Sequence, residues 1–533
     1  MSPGRERAAD AALFALAGLA VAFFLAQLLA FGYGRDQGIY AVVADAVLRG
    51  GAPYRDAWDF KPPGIHLVFA FARGLFGPDP IAIRGVEAAA LLSLAPAFAL
   101  ATRRALGSAA PGLLGALLAI AGYVPLEFWN TAQPEGFAAV AMVWAVVAAA
   151  RAEGDASPRR AALAAGAAGL LYGAAALGKP TLALGLPVSL GFALSAPAGA
   201  GRRHRVRAAA LVAAGLAGAV LAPAGALAWL AARGALGDAR EALLGFAPGY
   251  TALGLAGASP HALVARAFAW WLSPLAPFNL FGLSALLLLR PLAARERRLA
   301  THFVGVAAST LLGVALQAKF FGYHFAPAIV LTAGAAGIGA WKLWLRVRGR
   351  PLALAATALL VALLPRLELP GLPTVRPFWA RTPARLGAWL DPAQWPEVAD
   401  RLHSGDDVDA RANRAAAAWL ARRVPVGAPI FVWGFEPVLY DLAGRRPASR
   451  YVYDVPQRSA WASPAHRETL LRELRATPPA AVVLVHGDAI PDVTGDPRDS
   501  AQALEDFPAL AALFAGYARV ARFGDLEILV PRR

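Results

Sequence analysis

Asp36 follows directly on the first long apolar stretch, and Lys61 begins a Lys-Pro-Pro step further along the same segment. A carboxylate where an apolar helix meets water is partly desolvated, which raises its proton affinity toward that of a useful general base. Prolines 62 and 63 hold the residue before them extended and remove backbone donors, so the strip Asp59–Pro63 is stiff. A stiff strip can hold a lysine against a phosphate, which an ammonium neutralises as a point charge. Similar groups recur near the ends of later apolar stretches: Glu135 after EFWNTAQP, Lys179 in GKPT, and Lys319 with His324 in QAKFFGYHFAP. Ionisable groups at membrane depth are costly and mark functional candidates. Each also has an ordinary role that spacing leaves open. Asp36 can cap the helix that begins near Gln37, Asp59 and Lys61 can form a solvated turn, and Glu135 can favour a helix N-terminus. Lysines at helix ends can also snorkel to headgroups.

The elements that position these groups are membrane helices. The chain has 533 residues, 58% of them hydrophobic and 16% charged, so an ordinary soluble globule is excluded. Apolar runs of bilayer length, or slightly shorter, fall at 11–31, 80–101, 110–126, 135–150, 161–177, 181–197, 208–232, 266–289, 299–318, 324–341 and 351–365. Eleven spans are therefore expected, with domain 1–365 in the membrane and 366–533 outside it. The first run follows Arg5 and Arg7 and is too long for a cleavable signal, so it reads as a retained anchor.

A formal charge of +16 is compatible with a nucleic-acid partner, but residues 366–533 carry 21 basic and 20 acidic side chains, so the excess lies in the membrane half. Nineteen basic residues fall on the N-terminal segment and on alternate loops, among them Arg103, Arg104, Arg151, Arg159, Arg160, Arg202, Arg203, Arg290 and Lys342. That bias places the N-terminus in the cytoplasm, with the first loop and the C-terminal domain outside. No stretch interleaves basic and aromatic residues as a single-strand binder would, so no nucleic-acid partner is expected. The absence of cysteine excludes disulfides, thiolate metal sites and a cysteine nucleophile.

The first loop, 32–79, carries the most information. Ile39, Val42, Val43, Ala46 and Val47 recur at helical spacing, which predicts a short amphipathic helix from Gln37 to Leu48 lying in the bilayer interface. Gly64–Phe76 is too short to span and carries His66 and Arg73, which predicts a second interfacial or re-entrant helix. An extended piece with Tyr54, Asp56, Asp59 and Lys61 lies between them.

These residues resemble the first loop of the GT-C superfamily of integral-membrane glycosyltransferases. The likeness is greatest to protein O-mannosyltransferases and to the aminoarabinose and RgtA/B/C/D-like lipopolysaccharide sugar transferases. It rests on Asp36 with Tyr40 four residues on, on GGAPYRDAWDFKPPG, and on KFFGYHFAP, and in layout it covers residues 11 to about 350. The resemblance implies a GT-C-like helical fold and an inverting transferase that takes a sugar from a polyprenyl phosphate or diphosphate. The acceptor would be an envelope glycan, lipid or protein, at the outer face of a bacterial cytoplasmic membrane. It makes Asp36 the base; the charges at the helix ends are then expected to bind the phosphate through Lys61, Lys179, Lys319 and His324, with Tyr40, Tyr54, Asp59 and Glu135 as candidates to orient sugar or acceptor. Many relatives carry an acid where this chain has Gln37, and some carry one where it has Phe60. A divalent cation is therefore an open question, with His66, Asp36 and Asp59 as scattered candidate ligands.

Residues 366–410 read as a linker with short helices. Beyond them, PIFVWG and AAVVLVHGD alternate with helical stretches at 412–423 and 464–475, and YARVARFGDLEILVP has a hairpin turn. A small α/β domain is expected, without a nucleotide or hydrolase motif. His486, Asp488 and Asp492 read as a turn after a strand. The competing function is a secondary transporter or flippase of lipid-linked sugar, which would place its charges at the bilayer midplane in paired, interrupted helices. Here the candidate charges fall at helix ends.

Overall fold

The computed structural model describes residues 3–195, 202–289, 291–405 and 408–532; Arg290 and the side chains of Arg202 and Arg203 lie outside the described residues. Among the described residues, seven helices are long and apolar enough to cross a membrane: Pro3–Leu29, Pro80–Leu106, Pro134–Gly154, Pro158–Gly178, Arg205–Ala232, Ala294–Gln317 and Gly322–Val347. Four other expected spans correspond to the shorter apolar helices Ala110–Leu126, Pro180–Leu194, Pro277–Leu288 and Pro351–Arg366, so length and composition support seven of the eleven expected spans. The stretch 266–289 is not one helix. Pro260–Trp271 ends and Pro277–Leu288 begins afresh, because Pro274 and Pro277 cannot continue the hydrogen-bond ladder.

The chain forms two compact units that do not follow its order. One comprises Met1–Ala30, Arg84–Ala226 and Ala258–Pro383, the other Phe31–Ile83, Leu227–Gly257 and Ala384–Arg533. The 32–79 loop thus groups with C-terminal residues rather than with the rest of 1–365.

In the first unit, helix Gly322–Val347 is buried without interruption from Ala326 to Gly339. Its neighbours are Ala110–Tyr123, Pro277–Leu288 and Ala294–Gln317. Small residues allow this approach: a Cβ on Gly337 would clash with the carbonyl oxygen of Pro111. Helix Pro351–Leu363, by contrast, buries no residue.

The second unit contains a four-stranded sheet, β1 (Ile430–Trp433), β2 (Ala481–Val485), β3 (Tyr517–Phe523) and β4 (Leu526–Pro531), in the order β1-β2-β4-β3. β1 and β2 are parallel and fully buried, which is why both read as unbroken apolar runs. β3 and β4 form the expected hairpin.

Helix Arg35–Leu48 departs from the expectation. Every residue from Gln37 to Ala44 is buried, so it is not an interfacial helix with a polar face. One side packs on helix Gly64–Phe76 and the other on helix Val438–Ala443. A Cβ on Gly38 would lie 2.8 Å from the amide nitrogen of Val438. Helix Gly64–Phe76 does keep an apolar face open: Phe71, Leu75 and Phe76 are exposed, while His66, Phe69 and Arg73 are buried.

Candidate active site

Asp36 occupies the first turn of helix Arg35–Leu48 but does not cap it. The N-cap is Gly34, whose N–H donates to Gln37 Oε1 at 3.0 Å. Gln37, which stands where many relatives carry an acid, therefore has a structural use, and the cap does not draw on Asp36. Asp36 Oδ2 lies 2.8 Å from Lys61 Nζ, and both side chains retain partial exposure. Lys61 Nζ also donates to the Tyr40 hydroxyl and stands 4.7 Å from the centre of that ring. Its carbonyl accepts from the buried Tyr54 hydroxyl at 2.9 Å. Tyr54 adopts φ +72°, an unfavourable region for a bulky residue, in the turn that aims this hydroxyl. Burial, and then the charge of Asp59, push the Tyr54 phenol well above its usual range, so it remains a donor. Tyr40 and Tyr54 thus hold Lys61, by its side chain and its backbone respectively.

Asp59 is fully buried and is not paired with Lys61. Its Oδ2 meets His66 Nε2 at 2.9 Å, and its Oδ1 accepts from Tyr453 Oη at 2.9 Å and from the Phe60 N–H at 2.8 Å. Burial alone would raise this carboxyl. The hydrogen bond and charge of His66, the charge of Lys61 and the Tyr453 hydrogen bond outweigh it and hold Asp59 below the ordinary carboxylate range. The solvated turn considered from sequence is thus a buried anchor. Two arginine clamps support the helix carrying Asp36. Arg35 meets Glu436 at 2.8 Å, with Asn413 on the other carboxylate oxygen, and Arg73 bridges Asp45 at 2.8 Å and Asp441 at 2.6 Å.

In the first unit, Glu135 lies in the first turn of helix Pro134–Gly154, and Lys179 is the C-cap of helix Pro158–Gly178. Each charge therefore complements its own helix dipole. Lys179 Nζ donates to Glu135 Oε1, and His324 Nε2 lies 3.6 Å from that oxygen, too far for a hydrogen bond. His324 Nδ1 contacts the Lys319 carbonyl at 2.6 Å; a carbonyl only accepts, so Nδ1 carries a hydrogen. The fold thus gathers Glu135, Lys179 and His324, with Lys319 joined through its backbone.

Sequence reasoning passed over a second knot in the same unit. Arg84 meets Glu87 at 2.9 Å and Thr131 Oγ1 at 2.9 Å, and Glu87 accepts from Tyr123 Oη at 2.5 Å and from the Ala132 amide. The signal was available: two opposite charges three residues apart inside an apolar run. In the C-terminal residues, Asp488 accepts from the Phe435 and Ser500 amides at 2.8 and 2.7 Å, and His486 meets Glu527 at 3.3 Å. Asp488 thus ties the ends of two loops together, and His486 pairs with the next strand of the sheet. Among the described residues, no group of three or more His, Asp and Glu side chains is arranged to hold a metal ion. His66 and Asp59 bond to each other and Asp36 to Lys61, so these three do not assemble a metal site.

No family model and no curated protein sequence matches the chain. Solved structures do. ArnT from Cupriavidus metallidurans in the apo state aligns with a TM-score of 0.60 at 16% identity, over 97% of both chains. The fold is a GT-C fold. ArnT from the same organism bound to undecaprenyl phosphate aligns over the same shares at 17% identity, with a TM-score of 0.57. A weaker likeness is to the oligosaccharyltransferase of Archaeoglobus fulgidus, with a TM-score of 0.45 at 12% identity over 89% of this chain and 69% of that one. These structural neighbours are GT-C superfamily glycosyltransferases.

Proposed function

We propose that this protein is an inverting glycosyltransferase that takes a sugar from a polyprenyl phosphate or diphosphate at the outer face of a bacterial cytoplasmic membrane. The observation that carries this reading is the Asp36–Lys61 pair: an acid just beyond the first long apolar helix, relieved of capping duty by Gln37 and held 2.8 Å from a buttressed lysine. The GT-C fold raises its standing by analogy.

In the reaction, an acceptor hydroxyl or amine attacks the anomeric carbon from the face opposite the lipid phosphate. The new bond forms as the carbon–oxygen bond to phosphate breaks, and the lipid phosphate leaves with the electron pair. Asp36 takes the proton lost by the acceptor. Lys61 neutralises the charge growing on the leaving group, a role we also assign to Lys179, Lys319 and His324. The donor phosphate competes with Asp36 for Lys61, so the base is released when the donor arrives. Tyr40 and Tyr54 act through Lys61, and Glu135 orients sugar or acceptor. The N-terminus is assigned to the cytoplasm, and the acceptor is an envelope glycan, lipid or protein.

The test is transfer of labelled sugar from a panel of polyprenyl-phosphate sugars in reconstituted membranes, comparing the native chain with Asp36→Asn and Lys319→Ala. Transfer or slow donor hydrolysis by the native chain that vanishes in folded Asp36→Asn supports the reading. Unchanged turnover in that variant refutes the assignment of the base. Movement of labelled lipid across the bilayer without transfer would favour a flippase.

A further inference from the structure

Asp59, His66 and Tyr453 take no part in the proposed reaction, yet they form a fully enclosed ionisable cluster in the second unit. A buried carboxylate paired with a cation contributes little net stability, because desolvation offsets the attraction. Such a cluster is better suited to fixing one arrangement than to strengthening the fold. The arrangement it fixes is that of the strip ending at Lys61. Asp59 lies two residues before Lys61, Phe60 between them packs on Phe246 and Tyr250 at 5.4 and 5.1 Å, and Pro62 and Pro63 stiffen the backbone beyond Lys61.

The same strip is held in register against residues 450–453. The Trp58 amide donates to the Arg450 carbonyl at 2.7 Å, Trp58 bridges Tyr451 in parallel, and Tyr453 Oη then meets Asp59. Tyr54 secures the far end by its bond to the Lys61 carbonyl. With both carboxylate oxygens of Asp59 engaged and the intervening backbone stiff, a shift at Asp59 is passed to Lys61 rather than absorbed.

We propose that Tyr453 and the buried Asp59–His66 pair are positioning residues, through which the C-terminal residues set the place of Lys61 for the lipid phosphate. The inference rests on the transferase reading, because it takes Lys61 to bind phosphate. It gives residues 450–453 a part in donor binding, beyond any handling of the acceptor.

The experiment titrates the full-length chain in detergent with undecaprenyl phosphate and compares Kd across Lys61→Ala, Tyr453→Phe and the double variant, with melting temperature as the check on folding. Tyr453→Phe should weaken binding by about three- to tenfold, since only part of the full worth of a hydrogen bond to a charged group reaches Lys61 through the relay. If Tyr453 acts through Lys61, the double variant binds no more weakly than Lys61→Ala, because interacting positions are not additive. A purely structural role would lower the melting temperature without this non-additivity. Native affinity in Tyr453→Phe, two weakenings that multiply, or native affinity in Lys61→Ala would each overturn the inference. Should Tyr453→Phe fail to fold, His66→Gln takes its place in the same comparison. Sugar transfer by the native chain separates the two readings: undecaprenyl-phosphate binding without transfer from any polyprenyl-phosphate sugar refutes the transferase, whereas transfer with native Tyr453→Phe binding refutes the relay alone.

Discussion

Gly38→Ala is a sharp test of how the second unit holds Asp36. The added Cβ would meet the amide nitrogen of Val438 at 2.8 Å and its Cα at 3.1 Å. Ordinary contact begins at 3.4 Å, and a backbone atom cannot swing aside as a side-chain tip can. The helix carrying Asp36 must therefore move by about 0.6 Å, at a cost typical of overpacking, about 1–3 kcal/mol. Because Asp36 is two residues away, turnover should fall about tenfold or more; a displacement of about 1 Å is enough to cost ~100-fold in well-oriented chemistry. Gly74→Ala is the control, since its Cβ would meet only the Leu48 Cδ2 methyl, at 3.1 Å on a half-exposed side chain. Thermal unfolding and sugar transfer are measured on both. If Gly38→Ala is as stable and as active as Gly74→Ala, the close packing of this helix on Val438 does not hold Asp36 in place.

Three further perturbations probe other parts of the molecule. Burial, with the nearby Asp488 charge, pushes Asp454 up to about 6 from 3.8, although Arg458 opposes the shift. A folded-state value above the unfolded one means the native state binds the proton more tightly, so stability falls as pH rises between about 4 and 6. The shift of about two units is worth about 3 kcal/mol, and Asp454→Asn should flatten that part of a stability–pH curve; a curve as steep as that of the native chain would refute it. Glu87→Ala removes the acceptor of Arg84, Tyr123 and the Ala132 amide, and should lose about 3–5 kcal/mol, read as loss of folded protein on size exclusion. Tyr40→Phe removes a partner of Lys61 while keeping the ring beneath it, and should weaken undecaprenyl-phosphate binding by less than about tenfold.

Much of the fold is legible in the sequence because it depends on local pattern. Apolar runs mark the long helices, and the buried runs at 430–433 and 481–485 with the Gly524 turn mark the sheet. Asp36 and Lys61 stand out because a single charge beside an apolar run and a lysine before two prolines are local signals. Helix Arg35–Leu48 reads wrongly as interfacial because its apolar periodicity is genuine, while its other face is closed by a distant segment, Val438–Ala443. Gly38, Ala41 and Ala44, small residues opposite the apolar stripe, are the available hint. The role of Asp59 is not legible at all, since its partner Tyr453 lies 394 residues away and nothing local distinguishes a buried carboxylate from one in a turn.

If Asp36 is the base of a polyprenyl-phosphate-dependent sugar transfer, its most direct test is single-turnover transfer from the reactive labelled donor. Native and Asp36→Asn protein of equal melting temperature and equal affinity for undecaprenyl phosphate are compared. The expected result is a chemical step slowed by about 100-fold or more with binding retained, the scale of a lost general base. A native rate in Asp36→Asn would contradict it.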